Sequence, residues 1–194
     1  MREISREAGQ KNSSALQYHF DSKQALITAI LTRRMSALDY RRLEYVDRLE
    51  AQGKGTDLRS LVAALLMPMA ESLAPEKRQT AIIQYVGFLS AVQSHPDYDL
   101  VELSRNSKNL GLVRLLRLIG KLLPHVPDTV LQQRYIMVIS QGVHALAEFE
   151  RLWRRRRRSR NPFDLGRAIE NLIDMTTGAL GAPVSVEHAR HDAA

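Results

Sequence analysis

Apolar residues recur along most of the chain at steps of three and four, the spacing that gathers them on one face of an α-helix. The clearest run is Leu58, Leu61, Val62, Leu65, Leu66, Met69 and Leu73. A second is Leu131, Tyr135, Val138, Ile139, Gly142, Leu146, Phe149 and Trp153, and a third is Leu165, Ile169, Leu172, Ile173, Thr176 and Leu180. The third opens on Asn161-Pro162, read as an N-cap followed by proline at the first helical position. Breaks fall between the runs, at Gly53 to Gly55, Pro75, His95-Pro96, Pro124 to Pro127 and a run of arginines. No segment alternates as a strand would, so the pattern predicts an all-α fold.

Three of these helices carry further expectations. Pro68 lies inside the 58–73 stripe, where it cannot donate to the carbonyl of Ala64, and a bend is expected there. Leu110 to Leu123 is apolar on most sides, with Arg114, Arg117 and Lys121 as a narrow basic stripe, and reads as a helix nearly surrounded by others. The 128–153 helix places Phe149 and Trp153 near small Gly142 and Ala145, a combination suited to close helix contact. Residues after Gly181 read as a frayed tail.

Composition narrows the function classes. The 194 residues are 44% hydrophobic and 25% charged, enough to bury a sizeable core. There is no cysteine, which excludes disulfides, thiolate nucleophiles and cysteine-based metal sites. The start, MREISREAGQ, is polar, unlike a signal peptide, and no long uninterrupted apolar stretch follows, so a cytoplasmic protein without membrane contact is expected. The net charge of +7 falls to +1 without Arg154 to Arg158 and Arg160, so bulk charge says little about nucleic acid.

The chemistry is concentrated near the N-terminus. Arg2 to Ala8 reads as a short amphipathic helix ending at Gly9, where a left-handed backbone suits a helix stop. A polar turn, Gln10-Lys11-Asn12, leads into Ser13-Ser14-Ala15-Leu16-Gln17-Tyr18-His19-Phe20, a second short helix with a polar edge. Asp21-Ser22-Lys23 breaks it and caps a long helix beginning Gln24-Ala25-Leu26-Ile27. Two short helices joined by a glycine-containing turn form a helix-turn-helix, whose second member can enter the major groove. Asn12, Ser13, Ser14 and Gln17 are the candidate base-reading groups, since amides pair with adenine and hydroxyls with either base type, and Lys11 is a further candidate for DNA contact.

This block, a Glu-Ala-Gly helix end followed by Tyr18-His19-Phe20-x-Ser22-Lys23-x-x-Leu26, resembles the DNA-binding domain of the TetR family. The resemblance implies that Tyr18, His19 and Lys23 touch phosphates, a role their donors suit. It also implies a homodimer on a palindromic double-stranded DNA operator, released when a small-molecule effector binds the helical core. Two departures accompany it. One extra residue stands between Gly9 and Phe20, and the helix that opens the family's DNA-binding domain has no counterpart before Met1, so a misplaced start or a truncated gene is expected. The domains expected are 1–44, a partial helix-turn-helix domain with the start of the connecting helix; 45–181, the effector-binding and dimerisation domain; and 182–194, a flexible tail.

By the same resemblance, the last two helices pair with their copies. The interface is then expected on Leu131, Tyr135, Val138, Ile139, Gly142, Leu146, Phe149, Trp153, Leu165, Ile169, Leu172, Ile173 and Thr176. Near the bent helix, Met67, Met69, Gln84, Tyr85, Phe88 and His95 are either effector-pocket walls or ordinary core. The arginine run is either a solvated loop between the dimer helices or an accessory contact for DNA, RNA or acidic membrane. His144 with Glu148, and His188 with His191, lack further ligands at a metal-site spacing, and no catalytic or cofactor motif is present; neither metal, cofactor nor enzymatic activity is expected. A repressor is thus expected. Its rivals are a helical effector-binding or dimeric scaffold without DNA binding, and a nonspecific nucleic-acid binder driven by the arginine run.

Overall fold

The structure, a computed structural model, describes residues 20–73, 85–98, 109–156 and 158–185. Those residues form α1 (Lys23–Ala51), α2 (Leu58–Ala70), a 3-10 turn (Glu71–Leu73), α3 (Tyr85–Gln93), α4 (Leu110–Leu122), α5 (Asp128–Arg156) and α6 (Leu165–Gly181), with no strand among them. The all-α expectation holds.

Helix α2 is the centre of the core because it is apolar nearly all round. Leu61, Val62, Ala64, Leu65 and Leu66 are all buried, and α1, α4, α5 and α6 pack against it. Asp57 starts it by accepting the Ser60 amide at 2.9 Å, and the hydrogen bonds from Ser60, side chain first, hold the Asp57 carboxyl below its usual pKa. Pro68 is buried inside the last turn, and the helix tightens into the 3-10 turn immediately after Ala70.

Helix α1 stops by a different device. Gly53 has φ +68°, its N–H reaches the Glu50 carbonyl at 3.0 Å, and the Lys54 N–H reaches the Leu49 carbonyl at 2.8 Å. This is the Schellman arrangement, which places glycine one residue beyond the cap because other side chains resist a left-handed backbone.

Four expectations need correction. Helix α4 is not enclosed: Gly111, Leu115 and Ile119 are buried, but Leu110 and Val113 are exposed, so it is an amphipathic helix lying on α1 and α2. Helix α6 starts at Leu165, not at Asn161-Pro162, because Asp164 accepts the Arg167 amide at 2.9 Å. The arginine run is not simply a loop: Arg154 to Arg156 form the last turn of α5, where positive charge complements the carbonyl end of the helix dipole. The tail is not frayed from its first residue, since the buried Arg134 guanidinium donates to the carbonyls of Leu180 at 2.6 Å and Pro183 at 3.4 Å, and Val184 packs on the core.

Candidate functional site

Lys11, Asn12, Ser13, Ser14, Gln17, Tyr18 and His19 lie outside the described residues. Lys23, the remaining candidate for DNA contact, is exposed at the first position of α1. Ser22 fixes that helix start by accepting the Ala25 amide at 3.0 Å. The next turns of α1 bury Leu26, Ile27 and Leu31, so the lysine stands at the end of a helix anchored in the core.

Nineteen residues further along α1, a polar cluster sits inside the protein. Leu38, Arg42 and Val46 are four apart and all buried, which puts a guanidinium on an otherwise apolar face. Arg42 is only 4% exposed, and its Nε and Nη1 have no hydrogen-bond partner among the described residues. The neighbouring Asp39 carboxylate is already engaged, with Oδ2 accepting the Gly111 amide at 2.9 Å and Oδ1 accepting the Leu112 amide at 2.8 Å. It therefore caps the first turn of α4, whose own N-cap residue, Asn109, makes no side-chain cap.

Tyr85, at the start of α3, closes the cluster. It is 5% exposed, and its hydroxyl also lacks a partner. Burial pushes its phenol well above the usual pKa, and the positive charges of Arg42 and Arg34 act in the opposite direction. Burial lowers the Arg42 pKa, opposed by the nearby Asp39 and Tyr85, yet a guanidinium remains charged at neutral pH. Positive charge and hydrogen-bond donors thus converge in a place sheltered from water.

The expected pocket residues do not all meet. Gln84 lies outside the described residues. Met69 is buried core and Met67 packs on its edge. Phe88 is half-buried, its ring 6.2 Å from that of Tyr85. His95 lies two residues beyond the end of α3, at the opposite end of that helix from Tyr85. There its Nδ1 accepts the Asp97 amide at 3.2 Å, and its ring lies 4.7 Å from that of Tyr98. Sequence reasoning had passed over Arg42 and Asp39; the available signal was an arginine in phase with Leu38 and Val46.

The expected dimer stripe belongs to the protomer's own core. Leu131, Tyr135, Val138, Gly142, Leu146, Leu172, Ile173 and Thr176 are buried without a second copy, while Ile139, Phe149, Trp153, Leu165 and Ile169 are half-buried. A Cβ on Gly142 would sit 2.7 Å from the Leu66 side chain, so the close helix contact made by this glycine is with α2. The Phe149 and Phe163 rings lie 5.8 Å apart within the same chain. The outward face of α5 instead exposes Ile136 (67%) and Met137 (59%), and α6 exposes Met175 (54%).

Among the described residues, no helix is long and apolar enough to cross a membrane. No curated protein matches the chain. Residues 63–179, running from within α2 to the last turn of α6, match the family described as Tetracyclin repressor-like, C-terminal domain. That match spans more than half of the sequence and takes in most of α2 and α3 to α6, so the chain belongs to the TetR family of transcriptional regulators.

Proposed function

We propose that the protein is a cytoplasmic, ligand-responsive repressor that binds a palindromic DNA operator as a homodimer. The observation that carries this reading is the membership itself, a TetR-type regulatory core, and the start of α1 at Ser22-Lys23 falls within the sequence segment that resembles the family's DNA-binding domain. Residues 1–44 would be the DNA-binding head with Lys11, Asn12, Ser13, Ser14, Gln17, Tyr18, His19 and Lys23 at the duplex, and 45–181 the effector and dimer domain. A dimer through the outward faces of α5 and α6, with Ile136, Met137 and Met175 meeting their copies, would set two heads at a fixed spacing. The pocket would lie along α1, so an effector favouring one head spacing would change the affinity for DNA.

The test is fluorescence anisotropy with labelled duplex from the region upstream of the gene. Saturable binding that withstands competitor DNA, and falls when Lys23 is changed to Ala, supports the reading. Binding that competitor removes entirely, and that Arg154 to Arg158→Ser abolishes, would instead mark a nonspecific binder using the exposed arginines at the end of α5. Absence of any DNA binding favours the scaffold alternative.

A further inference from the structure

The buried pair Arg42 and Tyr85 is unexplained by packing. Burying a guanidinium with N–H groups unmatched costs several kcal/mol, and large buried side chains that only fill space are ordinarily apolar. The Asp39 carboxylate lies near enough for its charge to oppose the burial of Arg42, but it makes no hydrogen bond or direct ion pair with the guanidinium, and each of its oxygens already accepts an amide of α4. Nor do the two side chains satisfy each other: the Tyr85 oxygen could accept from Arg42, yet both remain without partners. What the cluster offers is the three N–H groups of Nε and Nη1, one O–H donor and a permanent positive charge partly offset by the nearby Asp39 carboxylate.

A complementary group has acceptor oxygens and one negative charge. A carboxylate meets both requirements with the fork of a guanidinium, whereas a phosphate, at about −1.5 to −2 near neutral pH, would bring a second negative charge close to the buried Asp39 carboxylate. The surroundings are apolar, with Leu38 and Val46 one turn to either side of Arg42 and the Phe88 ring next to that of Tyr85. We propose that Arg42 and Tyr85 hold the carboxylate of a small organic acid with an apolar body, and that such an acid is the effector. This rests on the reading of the chain as a ligand-responsive regulator.

The experiment uses the full chain and a thermal-shift series with benzoate, octanoate and dodecanoate, set against benzamide, octanamide and inorganic phosphate. At least one carboxylate raises the melting temperature of the unmodified protein, and its amide counterpart does not. Its apparent Kd weakens by about tenfold or more in Arg42→Met and by a smaller factor in Tyr85→Phe, as expected for loss of a charged and a neutral donor. Without ligand, Arg42→Met melts at or above the temperature of the unmodified protein, because an unmatched buried charge has been removed. If Arg42→Met does not fold, Arg42→Gln serves in its place.

The proposal is overturned if no carboxylate shifts the melting temperature, if amides or phosphate act as well as carboxylates, or if the carboxylate response survives loss of Arg42. Anisotropy with the upstream duplex is run on the same samples. DNA binding without a carboxylate response removes this inference alone, and an Arg42-dependent carboxylate response without DNA binding removes the repressor reading alone.

Discussion

Asp39 caps a helix to which it does not belong: its carboxylate accepts the Gly111 amide at 2.9 Å across the contact between α1 and α4, 72 residues away in sequence. The Leu112 amide occupies the other oxygen, so one side chain holds two free donors at the positive end of α4. Arg114 reinforces the same contact from the surface with ion pairs to Asp47 and Glu50.

Changing Asp39 to Ala strips both amides of their acceptor and should destabilise the fold by about 1–3 kcal/mol. Urea denaturation measures it. A loss below about 0.5 kcal/mol, the range of an ordinary surface change, would mean that the cap contributes little.

Gly111 makes that approach feasible. A Cβ there would stand 2.6 Å from the Asp39 carbonyl oxygen, a backbone atom that cannot swing aside. Gly111→Ala should therefore cost about 1–3 kcal/mol by overpacking, although alanine is the better helix former. Gly178→Ala provides the contrast, because a Cβ at that position meets nothing within 4 Å of its own chain. In chemical denaturation of a monomeric background it should be neutral or stabilising by up to about 1 kcal/mol.

The outward face of α5 and α6 predicts the assembly. Replacing Ile136 and Met175 together by Glu places unpaired charge on both helices and should convert a dimer to a monomer in sedimentation equilibrium, with helicity unchanged in circular dichroism. An unaltered sedimentation profile would show that the copies meet elsewhere.

Two tyrosines predict a loss of stability at alkaline pH. Burial, then the hydrogen bond to Glu71, raises the Tyr45 phenol to about 12, and burial raises Tyr135, which donates to the Leu116 carbonyl at 2.7 Å, also to about 12. A pKa raised by folding means that the native state holds its proton more tightly than the unfolded chain. The contribution is complete below the ordinary value of 10.0 and disappears as pH rises from there through about 12. Urea midpoints should fall across that window, and Tyr45→Phe with Tyr135→Phe should flatten the fall.

The periodicity revealed the helices well because a 3.6-residue repeat is a local property. Ser22 as a cap and the stop near Gly53 were equally legible, since each depends on neighbours a few residues away. The inward direction of the 131–153 stripe was not: a sequence shows that Leu131, Val138 and Leu146 share a face, but not whether their own chain or a second copy covers it. Arg42 was missed for a related reason. An arginine in a helix reads as solvated until α3 brings Tyr85 over it and α4 takes both oxygens of Asp39. The start of α6 was misplaced because Asn161-Pro162 and Asp164 are rival starts, and only the Arg167 hydrogen bond decides between them.

Arg134 has a practical consequence for work at the C-terminus. Its buried charge is matched by the carbonyls of Leu180 and Pro183, so the last turn of α6 and the residues just beyond it serve as counter-dipoles for a cation on α5. A stop codon introduced at Ala182 would leave that cation with one acceptor fewer and a new terminus beside it, whereas an affinity handle joined beyond Ser185 leaves this clasp intact.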